Sequence, residues 1–448
     1  RLLTILMLPV LLLLVGSAYA GKKIMKPWVT GYITGEWHRS DGSIGILTSE
    51  DWDTLTHVIH HAAGLNSDGS LDLNYGGWNL ADQTRRTKLI EQAHEKGVYV
   101  LFSVVNFGGY DAILADTAKR QRLVNDLVSI LQNGAGPGYD GLDIDLEPVR
   151  ADSSGNNPDY EVFISALQTW LKAINQSNNP GMLAERPLLT IATGIDTIAD
   201  NQTSSLGKLL AKLQDKLDQI NVMAYDLSTI NEGVVWHDGA LYDGGNKYPT
   251  YTARSVVSAD RALQQFISAG VLPSKLGLGI SAETRVWRGG KVAGSSDGVT
   301  APMQIWTTEP LWWMSNGVDR GRYAQLMKPG YRCISDSTDD CSYKPEYYRW
   351  DDKAKMPYLS IDKSGSASDM FISYNDARSV HEKVNYVKAK GLGGVMLWEL
   401  GRECLPPGGG GAMDQCVSGD GEYRPLLKAI RQTLRTGTGQ YKPLPMQP

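Results

Sequence analysis

The stretch YDGLDIDLEP, residues 139–148, places Asp140, Asp143, Asp145 and Glu147 within eight positions. The last three stand at strict two-residue spacing, with Leu142, Ile144 and Leu146 threaded around them. Side chains of a β-strand alternate faces, so Asp143, Asp145 and Glu147 share one face and the aliphatics share the other. Asp140 has the opposite parity and is expected to brace the start of the strand. Carboxylates about 7 Å apart per i,i+2 step cannot all stay ionised cheaply, so repulsion must raise at least one pKa. An acid near neutrality beside a carboxylate suits glycosidic cleavage, where one group protonates the leaving oxygen and negative charge stabilises the cation. A calcium loop is a poor alternative, because Leu and Ile between the acids do not make the Gly-bearing loop of an EF-hand.

The elements that must position these acids are near-continuous apolar runs: 28–34, 57–63, 98–105, 141–147, 188–194, 220–226, 276–280 and 394–400. Such runs fit parallel strands buried on both faces. Amphipathic helices lie between them. One carries Leu123, Leu127, Ile130 and Leu131 before a stop at Asn133-Gly134; another carries Phe163, Leu167, Trp170, Leu171 and Ile174; a third carries Val380, Val384 and Val387. Gly97, Gly270 and Gly391 suit the left-handed position just past a helix end, and Pro425 suits the first turn of the last helix. Eight strands alternating with helices predict an α/β fold, a (β/α)8 TIM barrel. A doubly wound sheet is the alternative, but no Gly-rich phosphate loop follows the first strand. In a barrel the acidic face points inward and Glu147 reaches the C-terminal rim. The predicted division is a barrel over 21–282 and 369–436, a small α+β insertion domain over 283–368 between strands seven and eight, and a tail over 437–448.

The 448 residues carry a formal net charge of −5, 42 % hydrophobic and 21 % charged residues. With no basic run, this argues against nucleic acid or an anionic membrane surface as partner, and a neutral substrate fits better. Residues 1–20 pair a lone Arg1 with an apolar run and an Ala18-Tyr19-Ala20 ending, the pattern of a secretory signal peptide cut after Ala20. The apolar run falls short of the ~20 residues that span a bilayer. An extracellular monomer is therefore expected. Four cysteines allow three connectivities; local pairing of Cys333 with Cys341 and of Cys404 with Cys416 is expected, since no Cys-x-x-Cys or His cluster supports a metal site. No metal and no cofactor are predicted. The seven histidines, including His60-His61, show no metal-ligand spacing with the acids and are read as structural.

DGLDIDLE resembles the D-x-x-D-x-D-x-E signature of glycoside hydrolase family 18, the chitinases. The resemblance extends over most of the chain: NVMAYD (221–226) is similar to the family's sixth-strand Met-x-Tyr-Asp, and GVMLWEL (394–400) to its eighth-strand segment. It implies chitin or chito-oligosaccharides as substrate, with Glu147 as general acid and Asp145 bonding the 2-acetamido N–H. Asp143 would tune Asp145, and Tyr225 would hold the acetamido carbonyl against the anomeric carbon. The acetamido oxygen is then the nucleophile, giving an oxazolinium ion and a retaining, substrate-assisted reaction. Trp398 would floor the reacting subsite, and Met223, Asp226, Arg285, Tyr110 and Tyr32 would contact sugar. Trp37, Trp236, Trp287 and Trp313 are further candidates for sugar stacking.

Several positions depart from the family pattern. Asn106 and Tyr110 replace the Ser and Trp of Ser-x-Gly-Gly-Trp, Ala62 stands where Phe is common, Leu146 and Pro148 replace Trp and Tyr, and Glu283 replaces Tyr. Within the family, an endo-β-N-acetylglucosaminidase would commonly lack the insertion, and a chitin-binding lectin would have lost the acid that stands here as Glu147.

Overall fold

A computed structural model describes residues 27–132, 138–179, 181–312, 321–334, 338–363, 365–406, 416 and 423–435. The proposed signal peptide, the tail, Trp313 and the Asn133-Gly134 stop lie outside the described residues. Eight parallel strands form a closed ring: β1 Trp28–Thr34, β2 His57–Leu65, β3 Tyr99–Asn106, β4 Gly141–Leu146, β5 Leu188–Thr193, β6 Gln219–Val222, β7 Leu276–Ser281 and β8 Gly394–Trp398. Each pairs with the next, and β8 pairs back onto β1 to close the barrel. All eight coincide with apolar runs of the sequence. The sixth stops sooner than its run suggested: it ends at Val222, so Met223–Asp226 form the turn above it.

Helices follow the strands at Gln83–His94, Thr117–Gln132, Pro158–Leu171, Ser205–Leu213, Ala259–Ser268, Ala377–Lys390 and Pro425–Arg435. After β1 come a 3-10 turn at Gly35–Trp37 and the single helical turn Ser49–Trp52. Their starts are capped as their sequences invite: Asp82, Asn157, Ser204, Ser258 and Asp376 each accept a first-turn backbone N–H. Gly391 ends its helix at φ 63°, a conformation that a side chain would resist. Gly97 and Gly270 also have positive φ. The helix face read from Phe163 to Ile174 needs one correction. Trp170 is 46 % exposed, because Phe163, Leu167 and Leu171 already fill the seam against the barrel.

Two cores result. Outward-facing aliphatics such as Leu142, Ile144 and Leu146 pack on the helix ring. Inside the barrel, Tyr32, Ile59, Leu101, Ala192 and Met396 form a separate cluster. Between β7 and β8, a five-stranded antiparallel sheet runs in the order 311–312, 285–288, 370–373, 356–361, 348–351. Its strand Met370–Ser373 pairs with Arg285–Arg288, so the inserted sheet extends past residue 368, where the sequence suggested that the barrel resumes. Disulfides join Cys333 to Cys341 and Cys404 to Cys416.

Asp140 does brace the strand's start. Its Oδ2 accepts from Val100 N at 2.7 Å and faces His94 Nε2 at 2.9 Å, while Oδ1 accepts from Leu183 N at 2.6 Å and Ala184 N at 3.0 Å. One buried carboxylate thus ties β3, β4 and the entry to β5. Each buried donor left without a partner costs ~1–3 kcal/mol, so Asp140→Ala should destabilise by at least about 3 kcal/mol. A urea unfolding midpoint equal to wild type would contradict this role.

Candidate active site

The ring fixes what surrounds the acids. In register, Asp143 is flanked by Ser103 on β3 and Thr190 on β5. Its Oδ2 accepts from Ser103 Oγ and from Tyr32 Oη, both at 3.0 Å, and its Oδ1 accepts from Thr190 Oγ1 at 2.6 Å. Three hydroxyls therefore take up both oxygens of a fully buried carboxyl. Burial is the main reason that its pKa rises to about 6; the neighbouring Asp145 raises it further and the three hydroxyl bonds oppose the rise.

Asp145 stands one step higher on the same face and is 4 % exposed. Burial pushes its pKa up to about 7, opposed by a hydrogen bond with Glu147. Its Oδ2 lies 3.2 Å from His61 Nε2. Glu147 follows the strand and is half-buried, with its backbone N–H bonded to the Asn106 carbonyl at 2.8 Å. The ladder thus runs from a sealed carboxyl, through one that titrates near neutrality, to one at the opening.

Aromatic rings enclose the ladder. Trp398 ends β8, half-buried, with ring centroids 5.7 Å from Tyr32 and 4.9 Å from His61, both edge-on. Its carbonyl accepts from Ala282 N at 2.6 Å, and two residues further on Leu400 N donates to the Tyr32 carbonyl at 2.9 Å. Its neighbour Glu399 is buried and bound by Trp37 Nε1 at 3.2 Å and Arg402 Nε at 2.8 Å. Tyr225 and Met223 join the same interior cluster, and the Tyr225 hydroxyl donates to Met396 Sδ at 3.7 Å.

Sequence-predicted residues divide accordingly. Asp143, Asp145, Glu147, Tyr32, Tyr225, Met223 and Trp398 gather at the carboxyl end of the barrel. Asp226 is exposed there and pairs with Arg285, which is itself 1 % exposed and also reaches Asp238 at 3.1 Å and Glu283 at 3.5 Å. Arg285 therefore anchors Asp226 from below. Tyr110, expected to contact sugar, is fully buried and donates its hydroxyl to the Pro148 carbonyl at 2.8 Å, so it steadies the peptide beside Glu147. Trp37, Trp236 and Trp287 are buried core residues rather than open platforms.

Ser103, Thr190 and Trp78 were not singled out from sequence, and His61, read there only as a structural histidine, stands 3.2 Å from Asp145 Oδ2. The one available signal for His61 was parity: it shares the face of Ile59, two positions before it on β2. His60, its neighbour, faces outward and meets Tyr139 Oη at 2.8 Å and His38 Nε2 at 3.2 Å.

A closed parallel barrel with two buried acids of raised pKa beneath a tryptophan at its carboxyl rim belongs to the (β/α)8 class. Residues 29–403 match the family Glycosyl hydrolases family 18, and the chain belongs to that family. It is 30 % identical over 385 residues to Chitotriosidase-1 of Mus musculus, covering 86 % of this chain and 73 % of that protein. It is 28 % identical over 390 residues to Chitinase B of Serratia marcescens, covering 78 % and 73 %. Against Chitinase A1 of Niallia circulans the identity is 29 % over 319 residues, covering 67 % of this chain but only 40 % of that protein. Among solved structures, the fold is similar to an immunomodulatory active chitinase from Trichuris suis, with TM-score 0.64 and 19 % identity over 91 % of this chain and 100 % of that one. It is also similar to a family 18 N-acetylglucosaminidase from Paenibacillus barengoltzii, with TM-score 0.63 and 22 % identity over 91 % and 99 %.

The raised pKa values carry a stability consequence. Between the unfolded carboxyl value near 4 and the folded values near 6 and 7, the native state holds protons that the unfolded chain has lost. Stability from these groups is therefore full below about pH 4 and falls as pH rises toward 7. Asp145→Asn removes one of these charges and should raise Tm at pH 8 by roughly 2–4 °C, with the gap closing toward pH 4. Melting curves followed by circular dichroism at both pH values check this; a gap that widens toward pH 4 would contradict it.

Proposed function

We propose that this protein is a chitinase, hydrolysing β-1,4 linkages between N-acetylglucosamine units with retention through an oxazolinium intermediate. The observation that carries the reading is the placement of three acids on one face of β4: Asp143 sealed by hydroxyls, Asp145 buried with its pKa raised to about 7, and Glu147 half-buried at the opening. A proton on Glu147, beside an acid that titrates near neutrality, can be delivered to a glycosidic oxygen at the barrel opening. Membership of family 18 and the chitinase names of its relatives support chitin as the substrate class. A family 18 chitinase structure from Cycas revoluta, 19 % identical with TM-score 0.62, is described in complex with (GlcNAc)4.

In this reading the sugar lies over Trp398, apolar face to indole. Its 2-acetamido group faces Asp145 and Tyr225, Asp145 accepting the N–H and Tyr225 bonding the carbonyl. The acetamido oxygen attacks the anomeric carbon as Glu147 protonates the leaving oxygen. Asp145 then balances the positive charge of the oxazolinium ion. Water, deprotonated by Glu147, opens the ring from the face the leaving group vacated, so configuration is retained. No protein carboxylate serves as nucleophile, because the substrate brings its own.

Export accompanies this function in our reading. The two disulfides suit an oxidising compartment, and among the described residues no helix is long and apolar enough to cross a membrane. The start of the sequence has the pattern of a secretory signal.

Glu147→Gln keeps shape and hydrogen bonding but cannot deliver a proton. It should lower kcat on chitotetraose by about 10²–10⁴-fold while chito-oligosaccharide binding, measured by calorimetry, stays within a few-fold of wild type. A variant that retains a tenth of wild-type kcat would remove Glu147 from the acid's role.

A further inference from the structure

His61 is the one imidazole in the acid cluster, and the established family membership assigns it nothing. It stands on β2, beside the Ala62 that departs from the family pattern, and is 1 % exposed. Its ring sits between three others: Trp398 at 4.9 Å, Trp78 at 5.0 Å and Tyr32 at 5.8 Å between centroids. Within that packing its one polar contact is Nε2 to Asp145 Oδ2 at 3.2 Å. Its other nitrogen, Nδ1, is buried and has no partner among the described residues.

This arrangement favours a proton on Nε2. A hydrogen on Nδ1 would be a buried donor without an acceptor, whereas on Nε2 it meets a carboxylate. Burial also lowers the His61 pKa to about 4, against the opposing pull of Glu399 and Asp143, so the ring is neutral at neutral pH. Asp145 stands on the strand face between Asp143 and Glu147. Asp143 already has both oxygens occupied by Tyr32, Ser103 and Thr190. His61 supplies the remaining constraint by fixing one oxygen of Asp145.

We propose that His61 is a positioning residue, holding the Asp145 carboxylate toward Glu147 through a neutral Nε2–H donor. It sets the orientation of Asp145 before substrate binds. This rests on the chitinase reading in assigning Asp145 its contact with the acetamido group. The charged and titratable groups facing the imidazole are Asp145 and Asp143 from β4, Tyr32 from β1, Glu399 beyond β8 and His60 on its own strand. Removing the donor withdraws a bond that favours the ionised form of Asp145, so the Asp145 pKa should rise further.

The test compares His61→Phe, which keeps a ring among Trp398, Trp78 and Tyr32, with His61→Gln, which restores an N–H at similar reach. On a fluorogenic chitobioside, His61→Phe should lose about 10–100-fold in kcat, the size of a hydrogen bond to a charged group, with KM changed less than about threefold. The acid limb of its kcat/KM profile should move up by about one pH unit, while His61→Gln returns both rate and limb toward wild type. A His61→Phe enzyme with the wild-type limb and rate would overturn the proposal. So would equal losses in both variants with an unmoved limb, since only packing would then matter. If His61→Phe fails to fold, ¹⁵N NMR of the histidine-labelled wild type decides: a neutral Nε2–H tautomer at pH 7 is expected, and an Nδ1–H tautomer or a charged ring overturns it. Wild type inactive on the chitobioside would defeat the chitinase reading instead, leaving the NMR result to judge His61.

Discussion

Two carboxyls buried one above the other inside a closed barrel are the constraint on which the rest of this structure depends. A charge removed from water must be met by polar partners or give up its ionisation. Asp143 and Asp145 receive different treatment. Asp143 is surrounded by three hydroxyls delivered in register from β1, β3 and β5. Asp145 has an imidazole on one side and Glu147 on the other, and burial leaves it titrating near neutrality. The barrel's closure makes this possible, because only a ring brings β1 and β2 against β4 as well as its sheet neighbours. The aromatic cage of Tyr32, His61, Trp78 and Trp398 keeps the environment dry enough for the shifts to persist.

Much of this was legible in the sequence for reasons that are local. Buried parallel strands must be apolar on both faces, so their runs stand out, and the two-residue spacing of the acids assigns them to one face without any knowledge of neighbours. Asp140 fell on the opposite face by the same count, and its four bonds to the start of β3 and the approach to β5 fit that parity. The same count in a barrel put Glu147 at the rim, and the family signature added its role as acid. Local pairing of the cysteines followed from their short separations.

What escaped was set by register and packing between distant strands. His61 has an ordinary sequence context, and its contact with Asp145 exists only because β2, β3 and β4 pair in one particular alignment, with an irregularity between His60 and Ala63. Ser103 and Thr190 are likewise commonplace until the register sets them on either side of Asp143. Tyr110 was given to the substrate because the family places a tryptophan there, yet the smaller ring turns into the core and bonds the peptide after Glu147. The inserted sheet reached Ser373 because its third strand takes its partner from Arg285–Arg288, a pairing across more than eighty residues that no local pattern records.

The central claim is that the acids of β4 serve a nucleophile carried by the substrate. The most direct measurement compares initial rates on chitotetraose and on the same oligosaccharide with free amines in place of its acetamido groups. Cleavage of the acetylated chain alone, with a loss of at least about 10³-fold on the deacetylated one, is the expected result, since the amine has no carbonyl oxygen to attack the anomeric carbon. Comparable rates on the two would show that the acetamido group is not the nucleophile.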